Sequence, residues 1–84
     1  MAKVIVYTKD HCPYCTLAKN LLSAKQIPFS EIRVDQNAAE LEKMISLSNR
    51  RTVPQIFIND QPIGGYDDLA ALVKSGKLDD LLNS

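Results

Sequence analysis

The chain has 84 residues, 45% of them hydrophobic, with ten basic residues balanced by ten acidic ones, which suits one compact domain over residues 1–84 and leaves no room for a second. Without net charge or a run of like charges there is no field to gather nucleic acid or an anionic membrane, so binding must come from a local site. The apolar stretch after Met1-Ala2-Lys3 is too short for a signal sequence and nothing later approaches a membrane span, so a soluble, cytoplasmic monomer is expected.

Residues 3–8, rich in Val, Ile and Tyr, read as a buried strand. A helix follows over residues 13–25, with Leu17, Ala18, Leu21 and Leu22 at helical spacing and Pro13 at the first position, where its missing N–H is harmless. Pro28 breaks the chain, and Phe29 to Val34 alternates like a second strand. Asp35 or Asn37 is placed to cap a helix over about residues 37–48, whose stripe is Ala38, Leu41, Met44, Ile45 and Leu47. Beyond Pro54, Gln55 to Ile58 and Gln61 to Gly64 form a hairpin about the Asn59-Asp60 turn. Gly64-Gly65 then opens a helix over about residues 67–75, capped by Asp67 or Asp68 and stopped by Gly76, and residues 78–82 form a last short helix that packs on the sheet. The expected order is β-α-β-α-β-β-α plus the C-terminal helix. Because the β-α-β crossover is right-handed and its strands parallel, the sheet is four-stranded and mixed, with helices on both faces.

Both cysteines lie in one Cys12-Pro13-Tyr14-Cys15 motif where the first strand gives way to the first helix. Cα atoms three apart in a helical turn lie about 5 Å from each other, inside the window of about 4.4–6.8 Å that a disulfide tolerates, so the pair can open and close with little backbone movement. Cys12, at the helix start, is the candidate nucleophile, since unpaired N–H groups and the helix dipole favour a thiolate there. Cys15 is the resolving partner. The dipole alone is not sufficient: it supplies about 0.3–2 kcal/mol, whereas each tenfold gain in thiolate requires about 1.4 kcal/mol. N–H···S bonds from the Tyr14 and Cys15 amides, with help from Lys9 across solvent, are expected to supply the rest.

Other uses of the pair fit less well. Zinc needs four ligands, and the chain offers two thiols and one histidine, His11, directly beside Cys12. A structural disulfide closing so small a loop would stabilise little. His11 is read as an exposed spectator and not as a general base, and no metal site is expected.

Four blocks, Tyr7-Thr8-Lys9, Cys12-Pro13-Tyr14-Cys15, Thr52-Val53-Pro54-Gln55-Ile56-Phe57-Ile58 and Gly64-Gly65-Tyr66-Asp67-Asp68, resemble the dithiol glutaredoxins in order and spacing along essentially the whole chain, most closely the small bacterial members. The resemblance implies a thioredoxin-like fold and a redox enzyme with no tightly bound cofactor that takes glutathione as co-substrate. Its partners would be glutathione and disulfide-containing or glutathionylated proteins, reduced by a monothiol route and a dithiol route respectively.

It further implies a cis Pro54 facing Cys12, with the Val53 backbone pairing to glutathione like an added strand and Thr52 lining the same groove. The Gly65 turn and the amide of Asp67 would meet the γ-glutamyl carboxylate, and the side chain of Asp68 the ammonium. Lys9 would meet the glycyl carboxylate, and Tyr14 would cover the bound thiol. One departure stands out: many glutaredoxins carry Arg, Lys or Gln eleven residues before the Thr of Thr-Val-Pro, and here that residue is Leu41. Lys9 then works with less help unless Arg51 or Lys43 reaches in. Tyr66 stands where some relatives carry a further cysteine.

Two rival readings are a redoxin served by thioredoxin reductase and a glutathione-ligated [2Fe-2S] carrier. Lys9, Thr-Val-Pro and Gly-Gly-x-Asp-Asp argue against the first, and Pro13 disfavours the second. Thioredoxin itself has Gly-Pro between its cysteines and a preceding Trp, and this chain has no Trp.

Overall fold

The computed structural model describes residues 2–83. In chain order the elements are β1 (Val4–Thr8), α1 (Pro13–Ala24), β2 (Ser30–Arg33), α2 (Ala38–Ser48), β3 (Gln55–Ile58), β4 (Gln61–Gly64), α3 (Tyr66–Ser75) and α4 (Lys77–Leu82). The strands form one sheet in the order β2-β1-β3-β4. β1 and β2 are parallel, as the crossover requires, and the β1–β3 and β3–β4 pairs are antiparallel. The expected fold class holds.

Side-chain alternation divides the core between the two faces of the sheet. Val4, Val6, Ile56 and Ile58 face one side and pack with Ala18 and Leu22 of α1, Leu69 of α3 and Leu78 of α4. Tyr7 and Phe57 face the other side with Val34 and Met44, the latter from α2. The Tyr7 and Phe57 rings meet edge to face, 5.4 Å between centroids. The β3–β4 connection is a two-residue turn with Asn59 at φ 51° and Asp60 at φ 68°, the paired positive values of the tight hairpin turn that Asn-Asp tolerates.

Three local expectations need correction. The third helix is capped by Gly65, not by Asp67 or Asp68, which lie inside its first turn; Asp68 Oδ2 instead reaches back to accept from the Gly65 N–H at 3.0 Å. Leu17 is 44% exposed, because the inward stripe of α1 runs Cys15, Ala18, Leu22 and one residue back from Ala18 lies about 100° around the helix. Leu47 is likewise half exposed, rimming a recess over Tyr7 and Phe57 and not filling the core. Of the two caps considered for α2, Asn37 is the one used, its side chain accepting from Glu40 N–H at 3.1 Å.

The antiparallel register sets Tyr7 at the end of β1 opposite Gln55 at the start of β3. The loop 9–12 therefore lies beside the segment 52–54, and Gly64, paired with Ile56, brings the start of α3 to the same end. Loop 9–12 is braced from β2 as well. The Arg33 guanidinium grips Asp35 through Nε–Oδ1 (2.9 Å) and Nη2–Oδ2 (2.7 Å), and Asp35 Oδ2 accepts the backbone N–H of Asp10 at 3.0 Å.

Arg33, and then the Asp10 amide, hold the Asp35 carboxyl down to about 2 from an ordinary value of 3.8. A carboxyl that binds protons more weakly in the fold than in the unfolded chain stabilises the fold above the unfolded value and loses that contribution as pH falls through the folded one. The melting-temperature gap between the wild type and Asp35→Asn is thus expected to be constant down to about pH 4 and to narrow between there and about pH 2. A gap independent of pH in thermal melts would show that the brace does not act through charge.

Candidate active site: a dithiol between two grooves

Cys12 and Cys15 are joined as a disulfide with Cα atoms 5.2 Å apart. Cys12 is the N-cap of α1 in extended conformation, and its sulfur accepts from the Cys15 N–H at 3.2 Å. The nucleophile thus does the job usually given to Ser, Asp or Asn. Of the two amides expected to reach it, only that of Cys15 does so among the described residues. Burial separates the two thiols: Cys15 is 2% exposed and Cys12 lies at the surface in part. His11, just before the cap, takes a left-handed φ of 54° and leaves its ring almost fully in solvent, 3.5 Å from Asp10.

The Val53–Pro54 peptide is cis, and the Val53 carbonyl oxygen stands 3.8 Å from Cys12 Sγ. Gln55 is buried beneath this segment and fixes Thr52, its Nε2 donating to the Thr52 carbonyl at 3.0 Å and to Oγ1 at 3.3 Å.

Thr52 and Val53 form the ridge between two grooves. The first, about 220 Å³, continues past Pro54 to Gly65, Asp67 and Asp68, with Tyr14 and Tyr66 on its walls; the two tyrosine rings lie 6.1 Å apart. The second, about 410 Å³, is lined by Lys9, Leu41 and Arg51 along with Thr52 and Val53. All eight residues expected around glutathione thus line one or other groove beside Cys12. Lys9 and Tyr14 fall on opposite sides of the ridge. Of the two basic residues considered as helpers for Lys9, Arg51 lines the Lys9 groove, whereas Lys43 faces a separate recess with Lys3 and Asp60. Among the described residues no cluster of three or more His, Cys, Asp or Glu could hold a metal ion, and no helix is long and apolar enough to cross a membrane.

Two features escaped the sequence reading. Arg50 lines the first groove, its Nη1 3.2 Å from Asp68 Oδ2; no motif or spacing in the sequence singles it out. On the opposite side of the dithiol, Thr8, fully buried, donates to Glu31 Oε2 at 2.7 Å, and Lys19 reaches the same oxygen at 2.9 Å. The Thr8 bond first, and Lys19 second, hold the Glu31 carboxyl below its ordinary value. With Lys9, Cys12 and Cys15, Glu31 and Lys19 line a further recess, Thr8 lying buried behind it. No residue-spacing motif ties Thr8, Lys19 and Glu31 together; the parallel β1–β2 register, pairing Thr8 with Arg33 and Val6 with Glu31, does so.

Comparison with known proteins agrees with this geometry. The glutaredoxin family model matches residues 4–63. The chain is 58% identical over 82 residues to glutaredoxin 3 of Escherichia coli strain K12, covering 98% of this chain and 99% of that one. It is 48% identical over 84 residues to a glutaredoxin of Neisseria meningitidis serogroup A, covering 99% of each. Among solved structures it resembles the buckwheat glutaredoxin–glutathione complex with a TM-score of 0.88 at 29% identity, covering 98% of this chain and 77% of that one. The solution structure of glutaredoxin from Brucella melitensis gives 0.85 at 48% identity, covering 98% and 89%. A surface cysteine capping a helix, a buried partner one turn on, the thioredoxin-like sheet beneath them and these relatives agree: the chain belongs to the glutaredoxin family and is a glutathione-dependent thiol-disulfide oxidoreductase.

Proposed function

We propose that Cys12 is the attacking thiolate and Cys15 the resolving thiol, and that glutathione lies across the Thr52–Val53 ridge with one end in each groove. The observation that carries this reading is the contrast in burial between the two sulfurs, together with the position of Cys12 Sγ against both the Cys15 amide and the Val53 carbonyl. The N–H that bonds sulfur in the disulfide can bond it more strongly as an anion, because hydrogen bonds to charged acceptors are the strong ones. The buried Cys15 has no such access to a bulky substrate.

In the monothiol route the Cys12 thiolate attacks the glutathione sulfur of a mixed disulfide. A Cys12–glutathione disulfide forms, and the substrate sulfur leaves as a thiolate that takes a proton from water. The thiolate of a second glutathione then attacks the glutathione sulfur on Cys12, releasing glutathione disulfide and restoring Cys12. With a protein disulfide, Cys12 forms a mixed disulfide with the substrate and Cys15 attacks Cys12 Sγ. The substrate is released reduced, leaving the Cys12–Cys15 bond for two glutathiones to reduce.

The Val53 carbonyl and N–H would pair with the cysteinyl backbone of glutathione, binding by main chain and not by side-chain shape. Thr52, held by Gln55, and cis Pro54 would frame that contact. Gly65 and the Asp67 amide would meet the γ-glutamyl carboxylate at the start of α3, where N–H groups lack intrahelical partners. Asp68 would take the ammonium, Tyr14 would cover the sulfur, and Lys9, with Arg51 in the same groove, would meet the glycyl carboxylate. We further propose that the chain works as a single-domain monomer in the cytoplasm on glutathionylated and disulfide-containing proteins, with glutathione as co-substrate and no resident cofactor.

Cys12→Ser is expected to abolish both activities, and Cys15→Ser to keep deglutathionylation while losing reduction of protein disulfides. Kinetics on a small glutathione mixed disulfide, recycled by glutathione and glutathione reductase, check this; turnover by Cys12→Ser would discard the scheme. Leu41→Arg adds a cation to the Lys9 groove and is expected to lower KM for the same substrate by about two- to fivefold with kcat little changed, the scale of one exposed ion pair. Equal KM in the two proteins would remove the glycyl end of glutathione from that groove.

A further inference from the structure

The ion pair between Arg50 and Asp68 stands inside the groove assigned to the γ-glutamyl end, and it uses the carboxylate that would receive the ligand's ammonium. Asp68 Oδ2 accepts from the Gly65 N–H at 3.0 Å and lies 3.2 Å from Arg50 Nη1. An ammonium arriving at that oxygen would meet the guanidinium as a like charge, so Arg50 must move away from Asp68 or be given a partner of its own.

Arg50 is held for such a role. Asn49 ends α2 in a left-handed turn at φ 59°. The Ser48 hydroxyl then accepts the Arg50 N–H at 3.1 Å while donating to the Met44 carbonyl at 2.7 Å. The backbone of Arg50 is thereby tied to the last turn of the helix, while its side chain and that of Asp68 stay 53% and 46% exposed. An exposed pair of this kind is weak in water, so it exchanges partners at small cost.

We propose that Arg50 is a specificity-determining residue: it selects ligands whose head group carries an α-ammonium and an α-carboxylate on the same carbon. The ammonium replaces the guanidinium at Asp68, and the guanidinium follows the carboxylate, helping the amides at the start of α3. A head group with the ammonium alone opens the ion pair and leaves Arg50 unpaired beside a cation. One with both charges exchanges one pair for two. This inference rests on the glutathione reading above and names what that site recognises at its γ-glutamyl end.

The test uses the reduced Cys15→Ser protein and mixed disulfides of 2-mercaptoethanol with three tripeptides, following thiol release in a single turnover. The tripeptides are glutathione, its glutaryl analogue without the α-ammonium, and its 4-aminobutanoyl analogue without the α-carboxylate. Adding Arg50→Ala is expected to lower kcat/KM by about fivefold for the glutathione probe, the upper scale of one exposed charge pair, and by less for the glutaryl probe, for which Arg50 leaves Asp68 with no ammonium to take its place. For the 4-aminobutanoyl probe it leaves the value equal or raises it, because Asp68 is then free; Arg50→Lys restores part of the loss. A residue that only propped Asp68 against Gly65 would lower all three values together, and that result, or no change in any, overturns the inference while leaving the glutathione reading standing. Failure of the parent protein to react with the glutathione probe at all would instead overturn that reading, and this inference with it.

Discussion

The sulfur of Cys12 accepts the Cys15 amide N–H at 3.2 Å and lies 3.8 Å from the Val53 carbonyl oxygen, and the rest of the molecule serves to keep those two backbone groups in register. The first comes free with the helix, since the residue that begins α1 is also its cap. The second comes from 41 residues further along the chain and depends on β1 and β3 being antiparallel neighbours, so that the end of one strand meets the start of the other. Only the amide, a donor, favours a thiolate; the carbonyl oxygen is the negative end of its dipole and is placed instead to accept from an incoming ligand. Backbone dipoles do not titrate, and their position is fixed by the sheet.

Charge is confined around the dithiol. Glu31 is satisfied by Thr8 and Lys19, Asp35 by Arg33 and the Asp10 amide, and Asp68 by Arg50 and the Gly65 amide. Each of these three acids accepts a buried or backbone hydrogen bond and is also paired with a base. Lys9 and Arg51 remain on the opposite side of the Thr52–Val53 ridge, beside Leu41. This arrangement keeps carboxylates from opposing a thiolate while leaving basic side chains available to an anionic ligand.

Most of the fold was legible because each element carries its own period and punctuation. Val4 to Thr8 alternates between the two core clusters, Pro13 starts a helix, Gly76 ends one, and Asn59-Asp60 can turn in two residues. What escaped has a physical cause in each case. Gly65 caps α3 without a side chain, so the nearest acids drew the assignment, although one of them reaches back to it. Leu17 and Leu47 match a helical stripe that is wider than the face the sheet covers. Arg50 and Arg51 are identical in type and adjacent, and only the left-handed turn at Asn49 decides that one serves the Asp68 groove and the other the Lys9 groove. The Thr8–Glu31–Lys19 cluster is a product of strand register, which no single segment encodes.

The Asn59-Asp60 turn, with Lys3 bonded to it through the Asn59 side chain and backbone, occupies the pole of the sheet opposite the dithiol. The same turn reaches the C-terminal helix, Asn59 Nδ2 donating to the Leu81 carbonyl at 3.5 Å, and Asp60 pairs with Lys3 at 3.2 Å. One dipeptide thus latches the first strand, the hairpin and the last helix together, so a reporter or handle grafted there would unfasten three elements at once.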